Sequence, residues 1–265
     1  MKFTVLCDNY TTLHKPLLAE PGFSMYIEDG DEKILFDTGY SDIFLRNATF
    51  LGIDLPLVDK IVISHGHDDH TGGLKYLFRK VPTKHIEVHA HPSAFRPKMK
   101  DGKSFGSPYG TDDLKSRCTL MLSKEPVKLT ENLTFLGEIP TYPDLEKRYT
   151  LGFCEDFADM LYDDTALVYS GNDGLTILTG CSHSGITNIC EYAKYVTGVD
   201  KIHCVAGGFH IREKGEKLDI VCNYFKKEKI DILLPCHCTC LDAKIALSGV
   251  AKVGEVGSGF CFEVE

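Results

Sequence analysis

Ile61-Val62-Ile63-Ser64-His65-Gly66-His67-Asp68-Asp69-His70 reads as a buried strand running straight into a ligand-rich turn. Three β-branched apolar residues in a row mark the strand. The six residues after Ser64 then offer four side chains able to bind a metal: His65, His67, Asp69 and His70. Side chains two apart on extended backbone project the same way, so His65 and His67 can share one ion, while Asp69 and His70 on the following turn reach a second. Gly66 is expected to let the chain bend tightly between the two imidazoles. Neutral imidazole is a favoured zinc ligand, and a solvated polar loop has no need of histidine at this density.

Two metals require further ligands, and later strand ends offer them. Gly180-Cys181-Ser182-His183 follows the apolar run Leu175 to Thr179, Gly207-Gly208-Phe209-His210 follows Lys201 to Ala206, and Cys236-His237-Cys238 follows Ile232 to Leu234. Successive strand ends meet at one edge of a sheet, which makes His183 and His237 candidate ligands. His210 is approached through two glycines, which implies close packing; it stays open between proton transfer or substrate contact, a third-ligand role, and structure.

Working outward, short apolar strands alternate with helical stripes along the chain, the pattern of an α/β (α+β) fold. Strands are expected at Phe3 to Cys7, Phe23 to Glu28, Lys33 to Phe36, Lys60 to Ser64, His85 to His89, Thr165 to Tyr169, Leu175 to Thr179, Lys201 to Ala206, Asp231 to Leu234 and Gly259 to Val264. The helical stripes are Leu74, Leu77 and Phe78, then Ile186, Ile189, Cys190, Ala193 and Val196, then Leu218, Val221, Cys222 and Phe225. Ser170-Gly171-Asn172-Asp173-Gly174 reads as a hairpin loop. Residues 92–128 have weak periodicity and 8 basic against 4 acidic residues, and are expected to form an inserted loop or lid in one domain spanning 1–265.

Composition excludes several classes. A net charge of −9 opposes binding to phosphate backbones and anionic membranes, so neither nucleic acid nor membrane is an expected partner. No apolar run approaches the roughly 18 residues that span a bilayer. Met1 to Asp8 lacks the apolar core of an export signal and reads as an opening edge strand, which points to a cytoplasmic protein whose eleven cysteines are free thiols. Cys236, Cys238 and Cys240 lack iron–sulfur spacing. Cys190, Cys204, Cys222 and Cys261 read as small buried residues.

His65-Gly66-His67-Asp68-Asp69-His70 resembles the H-x-H-x-D-H signature of the metallo-β-lactamase superfamily, and Phe36-Asp37-Thr38-Gly39 resembles the acidic motif that precedes it. More narrowly, Thr179-Gly180-Cys181-Ser182-His183-Ser184-Gly185, Gly207-Gly208-Phe209-His210, Pro235-Cys236-His237-Cys238-Thr239 and Gly137-Glu138-Ile139-Pro140 resemble the subfamily containing archaeal 7,8-dihydropterin-6-methyl-4-(β-D-ribofuranosyl)aminobenzene 5′-phosphate synthase. The resemblance covers residues 34–240 and implies a four-layer αββα sandwich. It implies two divalent metal ions, zinc ahead of manganese, iron or magnesium. His65, His67 and His183 would hold one ion, and Asp69, His70 and His237 the other, with Asp37 behind the ligands. One departure is informative: no histidine lies between His91 and His183, and Thr179-Gly180 leads into Cys181 where the common pattern has an acid. Either Cys181 takes that acid's place as a thiolate, or His183 supplies the missing imidazole and Cys181 stands behind it. Cys240 also stands where the subfamily usually shows glycine, which bears on the turn there.

Such a site implies hydrolysis of a phosphate-bearing small molecule by a metal-bound hydroxide, with Asp69 orienting the hydroxide and His210 transferring the proton. The subfamily implies a second chemistry, in which a pterin methyl diphosphate is joined to an arylamine ribose phosphate. A non-catalytic metal sensor is the third reading. Arg96, Lys98 and Lys103, from the basic stretch, are the expected phosphate contacts.

Overall fold

The run Ile61–Ile63 is wholly buried, and strict alternation along it and its neighbours decides which layer each side chain enters. The structure, a computed structural model, describes residues 1–13 and 15–264. Strands and helices are numbered in chain order. One seven-stranded sheet runs β18 (Cys261–Glu263), β1 (Lys2–Cys7), β2 (Ser24–Asp29), β3 (Glu32–Phe36), β4 (Lys60–Val62), β5 (Glu87–Ala90), β8 (Thr119–Leu122). The second runs β17 (Lys252–Val253), β16 (Ile232–Pro235), β15 (Ile202–Gly207), β14 (Gly174–Thr179), β13 (Ala166–Gly171), β10 (Leu133–Phe135), β9 (Val127–Lys128). A small third sheet orders β12 (Phe157–Ala158), β11 (Phe153–Cys154), β6 (Lys98–Lys100) and β7 (Lys103–Ser104).

Ile34, Phe36 and Val62 from the first sheet meet Phe135, Leu167, Leu178, Ala206 and Leu234 from the second, forming the inner layer. The alternate residues face outward: Leu35, Ile61 and Ile63 pack under Phe44 and Ala48 of α1 (Ile43–Leu51), Leu74 and Leu77 of α3 (Leu74–Lys80) and Leu114 of α4 (Thr111–Lys115). Val168, Ile177, Val205 and Leu233 do the same under Ile189 and Ala193 of α5 (Ile186–Thr197), Val221 and Phe225 of α6 (Glu216–Glu228) and Leu247 of α7 (Leu241–Ser248). The order helix, sheet, sheet, helix is the expected four-layer sandwich. β14, β15 and β16 are parallel, as are β3, β4 and β5, so their carboxyl ends gather at common edges.

Several expectations require correction. β1 is no edge strand: β18 pairs along its far side, because the chain's last strand returns antiparallel to it. Residues 92–128 are not one lid. Thr111–Lys115 is a helix and Thr119–Leu122 pairs parallel with β5, so this half belongs to the sandwich, and it is Phe105 and Gly106, just after β7, that meet His67. Cys261 is exposed on the edge strand β18. α1 and α7 are not among the expected helices; α1 buries Phe44, Leu45 and Ala48 on one face, whereas in α7 Leu241 and Ile245 are exposed while Ala243 and Leu247 are buried. Among the described residues no helix is long and apolar enough to cross a membrane.

Candidate metal centre

The loop leaving β4 turns after Ser64, and His67 ends the extended stretch as the residue that opens the short helix α2 (Asp68–Thr71). Gly66 serves a different purpose from the expected bend. Its φ is not positive; a Cβ there would lie 1.8 Å from the carbonyl oxygen of Ala94, so only glycine lets the two loops touch. His65 Nε2 and His67 Nδ1 are 2.9 Å apart, and His183, delivered from the end of β14, completes a buried group whose ligand atoms all lie within 4.8 Å of one another. A second group forms beside it from Asp69, His70 and His237, the last supplied by the end of β16. His70 Nε2 is 3.2 Å from His237 Nε2 and 3.7 Å from Asp69 Oδ2, and His237 Nε2 is 3.4 Å from the same oxygen.

These groups fit divalent metal. Donors around a tetrahedral ion at about 2.0–2.1 Å stand about 3.3–3.4 Å apart, close to the spacings above. His67 Nε2 and both nitrogens of His183 are buried with no hydrogen-bond partner, and a buried polar atom left so costs about 1–3 kcal/mol. Burial drives His65 and His183 well below the ordinary imidazole pKa, reinforced by the neighbouring histidines, and brings His67 down to about 4, so all three are neutral donors. Burial also opposes charge on His70, but Asp69 and Asp37 outweigh it and push its pKa up to about 9. The carboxylates that draw a proton onto His70 would equally draw a cation to that place. Asp69 itself is held well below the usual carboxylate range, because His70 and His237 outweigh its desolvation.

The supports behind these side chains are specific. Asp37, at a φ of 58°, accepts from Ser64 N–H at 2.7 Å and Ser64 Oγ at 2.6 Å, and pairs with His70 Nδ1 at 2.7 Å. His237 N–H donates to Asp8 Oδ1 at 2.7 Å, and its Nδ1 lies 2.9 Å from Asn9 Oδ1. Asp37, Ser182, His210 and His237 all hold a left-handed backbone, a strain characteristic of functional sites. Cys181 Sγ lies 3.3 Å from His70 Nε2, and also groups with His65 and His70, and with His237 and Cys238. Burial, helped by Cys238, pushes the Cys181 thiol well up. Gly208 is required here by close approach, since a Cβ would meet Cys238 Sγ at 2.6 Å.

His210 is in neither ligand group. Its ring packs 4.5 Å from those of His183 and Tyr149, its Nε2 is buried without a partner, and burial takes its pKa down to about 3. Two histidines further along the chain lie elsewhere: His89 pairs with Glu87 and His91 with Glu138. The expected phosphate contacts also separate from the site. Lys98 is buried and ion-paired with Asp159 at 2.6 Å and Asp163 at 3.1 Å, so it cannot also neutralise a ligand; Asp163 in turn accepts from Gly66 N–H at 2.8 Å. Arg96 lies 3.8 Å from Glu155, and Lys103 stands exposed on β7. Cys240, by contrast, keeps an ordinary turn, starting α7 while its N–H donates to Ile211. The ligand groups open into a cavity of about 590 Å³ also lined by Asn9, Tyr10, Tyr40, Phe105 and Arg212. None of these five, nor Asp163, sits in a motif, so sequence spacing held no signal for them.

The family model of the metallo-β-lactamase superfamily matches residues 17–149. The chain is 30% identical over 258 residues to 7,8-dihydropterin-6-methyl-4-(β-D-ribofuranosyl)-aminobenzene-5′-phosphate synthase of Methanocaldococcus jannaschii, covering 90% of this chain and 87% of that protein. It is 34% identical over 248 residues to an uncharacterized protein of the same organism, covering 92% and 93%. A solved structure described as a metal-dependent hydrolase of the β-lactamase superfamily superposes with a TM-score of 0.86 at 29% identity, over 100% of this chain and 99% of that one. With two ligand groups at the carboxyl ends of the facing sheets and matches of this extent, the chain belongs to the metallo-β-lactamase superfamily of enzymes.

Proposed function

We propose that the protein is a metal-dependent hydrolase of a phosphate-bearing small molecule. The observation that carries this reading is the pairing of two neutralisable ligand groups, His65/His67/His183 and Asp69/His70/His237, on the floor of one open cavity. Two divalent ions, with zinc first among them, supply Lewis acidity and lower the pKa of water when bound. The chain's own residues do the rest. Asp69, partly exposed to the cavity, accepts a hydrogen bond from the attacking water and orients it; Asp37 holds the His70 ring through Nδ1, and Asp8 and Asn9 hold His237. His210, neutral and with an unpartnered Nε2, takes up the proton released by the water and passes it to the ester oxygen as that oxygen leaves. Cys181 stands behind or within the second group. Eleven unpaired thiols support a reducing compartment such as the cytoplasm.

The 30% identity to a synthase favours a second reading, in which a pterin diphosphate is attacked by an arylamine and diphosphate departs. Metal analysis of protein purified without chelator, followed by turnover in oxygen-18 water, separates the two. Label entering the phosphate product of a diester supports hydrolysis. Coupling of a pterin diphosphate with an arylamine, without label and without diester cleavage, overturns it.

A further inference from the structure

We propose that Arg212 selects substrates carrying a second phosphate, bound apart from the ligand groups; the inference rests on the phosphate-ester reading above. Among the described residues lining the cavity, Arg212 is the one lysine or arginine. It is exposed, and while its neighbour Lys214 pairs with Asp242, Arg212 has no carboxylate partner among the described residues. In a chain of net charge −9, a guanidinium at a cavity wall with no carboxylate beside it is a planar donor fork open to an anion.

The backbone that presents it is held firmly. Phe209 N–H donates to Thr239 Oγ1 at 2.9 Å, Cys240 N–H to Ile211 O at 2.8 Å, and Lys217 Nζ to His210 O at 3.0 Å. The first two bonds tie residues 209–211 to the segment that follows His237 and the third ties them to α6, so the position of Arg212 is set by the fold rather than by a free loop. His210, two residues earlier, takes a φ of 48°, the turn that carries the chain from the His183 ring toward the cavity wall. Tyr10 and Tyr40 line the same cavity at 60% and 53% exposure, leaving aromatic faces for the organic part of a ligand. The rival cations are accounted for: Lys98 is buried against two aspartates, and neither Arg96 nor Lys103 lines the cavity. Two anion-binding loci on one cavity favour a compound with phosphate at both ends.

The test uses metal-loaded full-length protein and two probes, fructose 6-phosphate and fructose 1,6-bisphosphate, measured by calorimetry. The parent should prefer the bisphosphate by about ten- to a hundredfold, the range of one charge-assisted bidentate contact. Arg212→Met should collapse that preference to within about threefold, and Arg212→Lys should keep part of it. A parent with no preference, or Arg212→Met retaining the full preference, overturns the proposal. Cleavage of bis(p-nitrophenyl) phosphate, which carries a single phosphate, reads the hydrolase assignment separately: its absence in a parent that still prefers the bisphosphate removes hydrolysis and keeps Arg212 in its role.

Discussion

Replacing Lys98 with methionine tests whether the ligand loop is held from behind. The ammonium sits buried between Asp159 and Asp163, at 2.6 and 3.1 Å, and all three side chains are almost wholly shielded from solvent. Methionine preserves the stem's volume but leaves two buried carboxylates without a counter-charge. Removing one partner of a buried ion pair costs about 3–5 kcal/mol, a large share of the 5–15 kcal/mol that holds a typical domain. At about 2 °C per kcal/mol for a chain of this length, the thermal midpoint should fall by roughly 6–10 °C. A second effect follows from Asp163, which accepts the Gly66 N–H between His65 and His67. Once unpaired, Asp163 must take up a proton or turn toward water, and either change loosens that bond. The difference in midpoint between metal-loaded and chelated protein, measured by calorimetry, should therefore shrink in Lys98→Met. Asp159→Asn added to Lys98→Met should recover part of the stability, because one uncompensated carboxylate is gone. A Lys98→Met protein that melts within 2 °C of the parent and gains as much from metal would refute the argument.

Asp37→Ala removes the acceptor of Ser64 and the partner of His70, and should weaken metal binding about 10- to 100-fold in a competition with a chromogenic chelator; an unchanged constant would mean that the ring of His70 is held by packing alone. In metal-free protein, His67 and His210 titrate in the fold near 4 and 3 but near 6.5 when unfolded, so the unfolded chain binds more protons below pH 6.5 and stability falls with pH. Between pH 6.5 and 5 that loss should be about 2 kcal/mol for each, while His70, raised to about 9, loses its contribution in the opposite direction as pH rises above 6.5. Urea unfolding across this range should show a maximum near pH 6.5 in chelated protein; stability that is flat from 5 to 6.5 would contradict the buried neutral state. Exposed Cys261 should react with iodoacetamide at the same rate with or without metal, whereas half-buried Cys238, at the cavity wall, should react only after chelation, as read by peptide mass mapping. Equal reactivity in both states would place the Cys238 sulfur outside the metal shell.

The sequence by itself determined the alternation of strands and helices and which residues stand at the strand ends, while the four-layer sandwich was implied by the resemblance to the superfamily. Apolar runs such as Ile61–Ile63 and Leu175–Thr179 have to be strands in a buried sheet, and a motif at the end of such a strand inherits its position from the backbone. Thus His65, His67, Asp69 and His70 converge with His183 and His237, which the chain places 113 and 167 residues beyond His70. Only the tertiary structure decided the rest, because it depends on what sits opposite each side chain. Lys98 and Arg212 carry the same charge in the sequence; one faces two buried aspartates across a hairpin, the other faces an open cavity. Gly66 looked like a bend, and its necessity comes from Ala94, a neighbour 28 residues on. Asp8 and Asn9 reach His237 only because β1 lies inside the sheet with β18 closing over its edge. Local periodicity encodes which elements form and which face is apolar, but pairing between distant polar side chains is settled by the packing of those elements, where burial makes each unmatched charge costly.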